Sequence, residues 1–338
     1  MPAEWEKHNA TWLAWPHHKA DWPGKFPTVK WSFLEIIRHI TASETLRLLV
    51  KDKQIENEVK ELCDLIALDH SKIEFFHIAT NRGWMRDCGP IFVKNADSKN
   101  KNEKTLLDFK FNGWAKYANH KLDNQVPTLI NKTLKHKIVQ PMHKGKQVVL
   151  EGGSIDVDGK GLLLTTEECL QSPIQERNIG YTKADYAEVF NKYLGVEEVI
   201  WLKNGIEGDD THGHVDDIAR FAPNNVVVVA AESNKKDVNH KHLSENIKIL
   251  KKYKQLNVVE LPMPQKIWFE DYCLPASYAN FLITNKRIIT PVFNDVNDRI
   301  ALNTLAEVFP KHEVVGINCS DLVLGLGTIH CLTQQEPA

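Results

Sequence analysis

Residues 154–165 read SIDVDGKGLLLT. Two runs able to form strands, Ser154 to Val157 and Gly161 to Thr165, flank Asp158 and Gly159. Asp-Gly is a strong hairpin signal, because a tight turn that follows the strand twist needs positive φ at its centre. An amphipathic run over about Lys183 to Leu194 follows, and the strand VEEVIWL closes the unit. Strand, strand, helix, strand is therefore the order to look for elsewhere in the chain.

It recurs. IARF, the turn PNN, VVVVA, a helix over about His240 to Tyr253 and NVVEL make a second copy. NFLI, TNK, RIITPV, a helix over Asn297 to Phe309 and HEVVGI make a third. The three hairpins begin near 154, 218 and 281, a spacing of 64 and then 63 residues. A rougher copy starts near Pro90 with IFV, LLDFKF, a helix from about Leu122 to Leu134, and KIVQP. The amino-terminal segment has WLAWP, a helix over about Lys30 to Ala42, TLRLLV, a helix over about Gln54 to Leu68, and IEFFHI. That is a fifth unit short of one hairpin strand, while a strand around Ile329 to Thr333 is left over at the other end. Pairing the two would complete the unit and close a ring, so one α/β domain over residues 1–338 is expected. The polar stretch Asn95 to Lys104 reads as an exposed loop.

Composition agrees with a globular chain. Of 338 residues, 42% are hydrophobic and 25% charged, which excludes disordered, collagen-like and membrane classes. Forty-two basic residues against 44 acidic ones leave a net charge of −2, too little to attract nucleic acid or an anionic membrane. The six cysteines form no CxxC pair or regular spacing, which argues against a disulfide framework or structural zinc and for a reducing compartment. The amino terminus has no apolar signal core and no stretch of about 18 apolar residues occurs, so the cytoplasm is the expected location. Assembly as a homo-oligomer is left open.

Just before each hairpin lies a polar or glycine-bearing segment unsuited to a core strand: WMRDCGP, LEGGS, GHVDD and LPASY. Asp87, Glu151 and Asp216 follow the repeat, 64 and 65 residues apart. In a ring, equivalent positions face one place, so these acids should converge at one axial end. His214 and Asp216 form an H-x-D pair that an extended strand would point to one face. Cys331, in the run GLGTIHCLTQQEP over 325–337, would join them on the closing strand. A thiol, a histidine and three carboxylates suit a cation attacked by sulfur. A planar guanidinium fits, with N–H donors for carboxylates and an electrophilic carbon. Two other readings compete. THGHVDD is close to the T-H-x-H-x-D-H zinc run of binuclear metallohydrolases but has Asp217 in place of the last histidine. A guanidinium-binding protein without chemistry is the other, although it would need no thiol beside a histidine.

Taken together, MPAEWEKHNATWLAWP, WMRDCGPIFV, LEGGSIDVDGKG with TTEECL, DDTHGHVDDIARF, LPASYANF and TIHCLTQQEP resemble the agmatine deiminase family. That family lies among the guanidine-modifying enzymes related to bacterial peptidylarginine deiminases. The resemblance covers nearly the whole chain and implies a five-bladed pseudosymmetric β/α propeller of ββαβ units. It implies that Cys331 attacks the guanidinium carbon, Asp87 and Asp216 hold the guanidinium nitrogens, and His214 moves protons. Glu151 would add to that grip or orient His214, Trp84 would pack over the substrate, and Asp210 would bind the far amine of agmatine. No metal or other cofactor is required. The implied substrate is a small cationic guanidine, agmatine first and peptidyl or free arginine second; Arg86 and Arg220 stay open as counter-charges for an α-carboxylate. The chain departs from the family's GGGNIHC at Leu326 and Thr328, and carries His212 where an aspartate is common.

Overall fold

In the computed structural model, which describes residues 1–95 and 103–338, the repeated unit is plain. Each later unit forms a three-stranded sheet whose middle strand pairs antiparallel with its hairpin partner and parallel with the strand after the helix. The second unit pairs Ile91–Lys94, Lys104–Leu107 and Lys137–Val139 in this way. The others are Asp156–Val157 with Leu162–Thr166 and Glu198–Leu202, Ala219–Ala222 with Val226–Ala231 and Asn257–Pro262, and Leu282–Ile283 with Arg287–Val292 and Glu313–Asn318. A parallel pair needs a long crossover, and the amphipathic helix supplies it while covering the sheet. The middle strands are accordingly the apolar ones: Val227, Val228 and Val229 are fully buried.

The ends of the chain do meet. Thr333–Pro337 lies antiparallel to His8–Ala14, with Thr11 opposite Gln335 and Leu13 opposite Thr333. His8–Ala14 continues in parallel to Thr45–Val50 and thence to Ile73–His77. The fold is mixed α/β, and its apolar cores join units in chain order. Leu107, Val157 and Phe190 share one cluster, and Leu164, Phe221 and Val229 share the next. The largest brings Trp12 and Phe33 together with Leu106, Phe281 and Phe309.

The main helices fall close to the positions read from sequence. Lys183–Leu194 has the expected bounds, set by a capping box between Thr182 and Asp185 and by Gly195 in the left-handed conformation after its last turn. Val238–Leu250, Asp298–Val308 and Lys53–Leu65 begin or end one to three residues away from the periodic signal, and Phe26–Thr41 starts four residues earlier. Val126–Leu134 is preceded by a 3-10 turn over Asp123–Gln125, which the sequence reading had merged with it.

Two expectations need correction. The closing strand begins at Thr333, and Ile329–Leu332 is a helical turn, so Cys331 precedes the strand and does not belong to it. His214 and Asp216 are likewise not on a strand: His214 leads into the 3-10 turn Val215–Asp217. Of the polar stretch 95–104, residues 96–102 lie outside those described, and Lys104 is a buried strand residue paired to Glu336.

Candidate active site

Four short helical turns, each entering the first strand of a hairpin or the closing strand, supply the site. Met85–Cys88 touches both Gly152–Ser154 and Ile329–Leu332, and Gly152–Ser154 touches Val215–Asp217. Such a turn satisfies its own N–H groups through i−3 carbonyls, as when Asp87 N–H donates to Trp84 O at 3.0 Å. Polar side chains can therefore enter the interior without stranding the backbone. A fifth turn holds Asn280, whose N–H donates to Ser277 O.

The predicted residues come together. The Cys331 thiol donates to Asp216 Oδ2 at 3.5 Å. His214 Nδ1 is 3.8 Å from Asp87 Oδ1, and its Nε2 is 3.8 Å from Glu151 Oε2. All five are buried, and neither nitrogen of His214 makes a hydrogen bond within the described residues. Gly153 makes this density possible: a Cβ there would lie 2.6 Å from His214 Nδ1 and 2.9 Å from Asp87 Oδ1. Its N–H donates to Asp87 Oδ1 at 3.1 Å. Glu151 is turned to protein cations, since both its oxygens accept from Arg177 Nε, at 3.1 and 3.3 Å.

A cavity of about 250 Å3 opens onto this cluster. Cys331, Asp87 and Trp84 line it together with Trp114, Asp21 and Asp210. Asp210 accepts from Tyr117 Oη at 2.8 Å and pairs with Lys116. Trp84 donates its indole N–H to Asp21 Oδ2 at 3.2 Å. Leu326, one of the family departures, also lines the cavity, whereas His212 turns away to Ser172 and Glu168. Arg86 and Arg220 do not line it. Both are buried and face Glu4, with Arg220 also on Asp156 and Arg86 on Gln335.

Charge sets the protonation of the cluster. Burial pushes the Asp87 carboxyl up to about 6; the His214 charge opposes this, while Asp216 and Glu151 add to it. Burial would also raise Glu151, but Arg177 and His214 bring it down to about 2. Burial alone would lower His214; the charge of Asp87, with Cys169 and Glu151 beside it, raises it well above the ordinary histidine value. The Cys331 thiol is held far above its usual range by burial and by Asp216, Asp217 and Asp87. An empty site therefore stores its sulfur as the thiol. A bound cation would offset the carboxylate charge and favour the thiolate.

Several contributors escaped the sequence reading. Asn280 Nδ2 donates to Cys331 Sγ at 3.0 Å and to Asp217 Oδ1 at 2.9 Å. Its Oδ1 accepts from Thr328 Oγ1 and from the His330 and Cys331 N–H groups. Trp114 donates to Asp87 Oδ2 at 2.9 Å. Asp209 accepts the N–H groups of Thr211, Gly213 and His214, which shapes the loop ahead of the histidine. The motif LPASYANF pointed at Asn280 without singling it out.

Among the described residues, two sets could hold a metal ion: Glu151 with Cys169 and His214, and Asp216 with Asp217 and Cys331. Arg177 already places a cation on Glu151, and Asn280 donates to both Asp217 and Cys331. The zinc run read from sequence is not assembled, because His212 and His214 face different groups.

The sequence matches the Porphyromonas-type peptidyl-arginine deiminase family over residues 1–337. Agmatine deiminase of Pseudomonas aeruginosa is 33% identical, with all of this chain and 95% of that protein aligned. The C. jejuni agmatine deiminase, as a serine-for-cysteine variant with substrate bound, superposes with a TM-score of 0.89 at 29% identity, covering 100% of this chain and 96% of its own. For the Enterococcus faecalis agmatine deiminase the TM-score is 0.87 at 32% identity, covering 100% and 95%.

Proposed function

The chain belongs to the Porphyromonas-type peptidyl-arginine deiminase family and is a hydrolase of amidine carbon–nitrogen bonds, and from that premise we propose that it converts agmatine and water to N-carbamoylputrescine and ammonia. The observation that carries this is the cavity whose base is Cys331 and Asp87 and whose wall includes Asp210. Asp87 and Asp216 take the guanidinium N–H groups and turn its carbon toward the sulfur. The Cys331 thiolate forms a C–S bond, and one C–N bond breaks as His214 gives its proton to the departing nitrogen, releasing ammonia. His214 then takes a proton from water, which attacks the same carbon; the C–S bond breaks and the ureido product leaves. Glu151, held by Arg177, orients His214 instead of gripping substrate. Trp84 and Trp114 wall the cavity against water, and Asp210 receives the far amine by exchanging its partner Lys116.

Agmatine is favoured over arginine because the cavity lining holds three acids, Asp21, Asp87 and Asp210, against one base, Arg82, which is itself paired to Asp21. The counter-charges that an α-carboxylate would require are engaged elsewhere in the cases of Arg86 and Arg220. We read the five units as blades of a propeller within one domain, supported by the paired chain ends and by cores shared between successive units. Six free cysteines support a reducing location such as the cytoplasm. Ureido product measured from agmatine, free arginine and an arginine-terminated peptide decides the substrate; turnover of arginine without agmatine would overturn the choice.

A further inference from the structure

Asp216 has one oxygen fixed and one open. Its Oδ2 accepts from His330 Nδ1 at 2.7 Å and from the Cys331 thiol, whereas its buried Oδ1 has no hydrogen-bond partner within the described residues. The opposite nitrogen of His330 lies 2.9 Å from Glu4 Oε2. Glu4 is in turn held by Arg220 and by the N–H of Ile283, and Arg86 Nη2 stands 3.7 Å away. Asp216, His330, Glu4, Arg220 and Arg86 are all buried, and neither Glu4 nor His330 lines the substrate cavity.

We propose that Glu4 and His330 are positioning residues for Asp216, so that the amino-terminal segment, 326 residues from His330, governs cation binding at a site it does not touch. The inference rests on Asp216 being a guanidinium acceptor, as in the function proposed above. A carboxylate can rotate about its last bond, and rotation would bury the wrong oxygen. Anchoring Oδ2 through the imidazole leaves Oδ1 free to accept a guanidinium N–H. The ring needs protons on both nitrogens to donate to both carboxylates, and Glu4 stabilises that arrangement as the second anion. The effect on Asp216 agrees. Burial would raise its carboxyl, but the hydrogen bond and charge of His330, with further help from His214 and Arg220, bring it below the ordinary value. The charged groups around His330 are thus Asp216 and Glu4 directly, Arg86, whose Nε donates to His330 O, and Arg220 with its partner Asp156 through Glu4.

The test compares Glu4→Gln, His330→Gln and His330→Asn. Agmatine affinity is measured by calorimetry in a Cys331→Ser background from about pH 5 to about pH 9, and KM and kcat are measured with Cys331 present. An asparagine amide falls near the Nδ1 position and can still donate to Asp216, whereas a glutamine amide falls near Nε2 and reaches toward Glu4. The expected order is binding within about threefold of the parent for His330→Asn and about tenfold or more weaker for His330→Gln and Glu4→Gln, with KM moving more than kcat. The acid limb of binding should move to higher pH in the weakened variants, because Asp216 loses the group that keeps it ionised. Unchanged affinity, or equal losses in all three that follow a fall in Tm without moving the pH limb, would overturn the proposal. If a His330 variant does not fold, the isosteric Glu4→Gln decides alone. Agmatine binding without ureido product refutes deimination and leaves the expected order to be read; turnover with unaltered affinities refutes only the positioning role. A parent protein that binds no agmatine overturns both.

Discussion

Asp87 and Glu151 share one buried cluster and respond to it in opposite directions. Asp87, raised to about 6, binds its proton more tightly in the folded chain than in the unfolded one. Its contribution to stability is present below its ordinary range near pH 4 and is lost as pH rises through about 6. Glu151, lowered to about 2, contributes above its ordinary range and loses that contribution only as pH falls toward 2. Asp87→Asn should therefore stabilise the substrate-free protein near neutrality, by on the order of 2 kcal/mol in denaturant unfolding, while abolishing turnover. In the parent, kcat/KM for agmatine should fall below about pH 6 as Asp87 takes up a proton; a profile flat to about pH 4 would contradict this. Cys331→Ser should lower kcat at least about 10^3-fold with little change in Tm. Gly153→Ala should reduce both stability and activity, because its methyl meets His214 and Asp87 at 2.6 and 2.9 Å; an unfolding midpoint equal to that of the parent would count against this packing. The periodic acids were visible in the sequence because their spacing repeats. Asn280, Trp114 and Arg177 repeat nowhere, and their partners come from distant parts of the chain.

At the scale of elements, long helices announce themselves through several turns of amphipathic repetition. Four-residue turns do not, since one turn contains no period to detect. This is why Cys331 was assigned to a strand, and it is also why the site can be so polar: each turn satisfies its own backbone. The turn Ile329–Leu332 depends on an outside clamp, Asn280, which holds the sulfur together with the N–H groups of His330 and Cys331. Asn280→Ala leaves these groups without a partner. It should slow turnover by about 10^2-fold and change the rate of Cys331 alkylation, read by mass spectrometry, while KM changes less. Thr182→Ala is the matching control on a structural helix: it should cost about 1 kcal/mol and leave kcat unchanged.

At the scale of the molecule, Glu336 of the closing strand is almost fully buried. It holds Lys104 from the second unit, Arg47 from the first, and the Trp12 indole N–H. The sequence order of strands, helices and leftover ends was enough to foresee the pairing of Thr333–Pro337 with His8–Ala14. It could not foresee this charge cluster, because Lys104 lay in a stretch polar enough to read as a loop. Glu336→Ala should destabilise by about 3–5 kcal/mol by leaving buried cations unpaired, measured as a loss in denaturant midpoint.

The same pairing has a consequence for synthesis. His8–Ala14 leaves the ribosome early, yet one of its edges waits for Thr333–Pro337, which emerges more than 300 residues later. During that interval the nascent chain carries an open strand edge, a template for partners other than its own. The nucleophile arrives immediately before the strand that covers this edge, so competence to react is gained only as translation of this region ends.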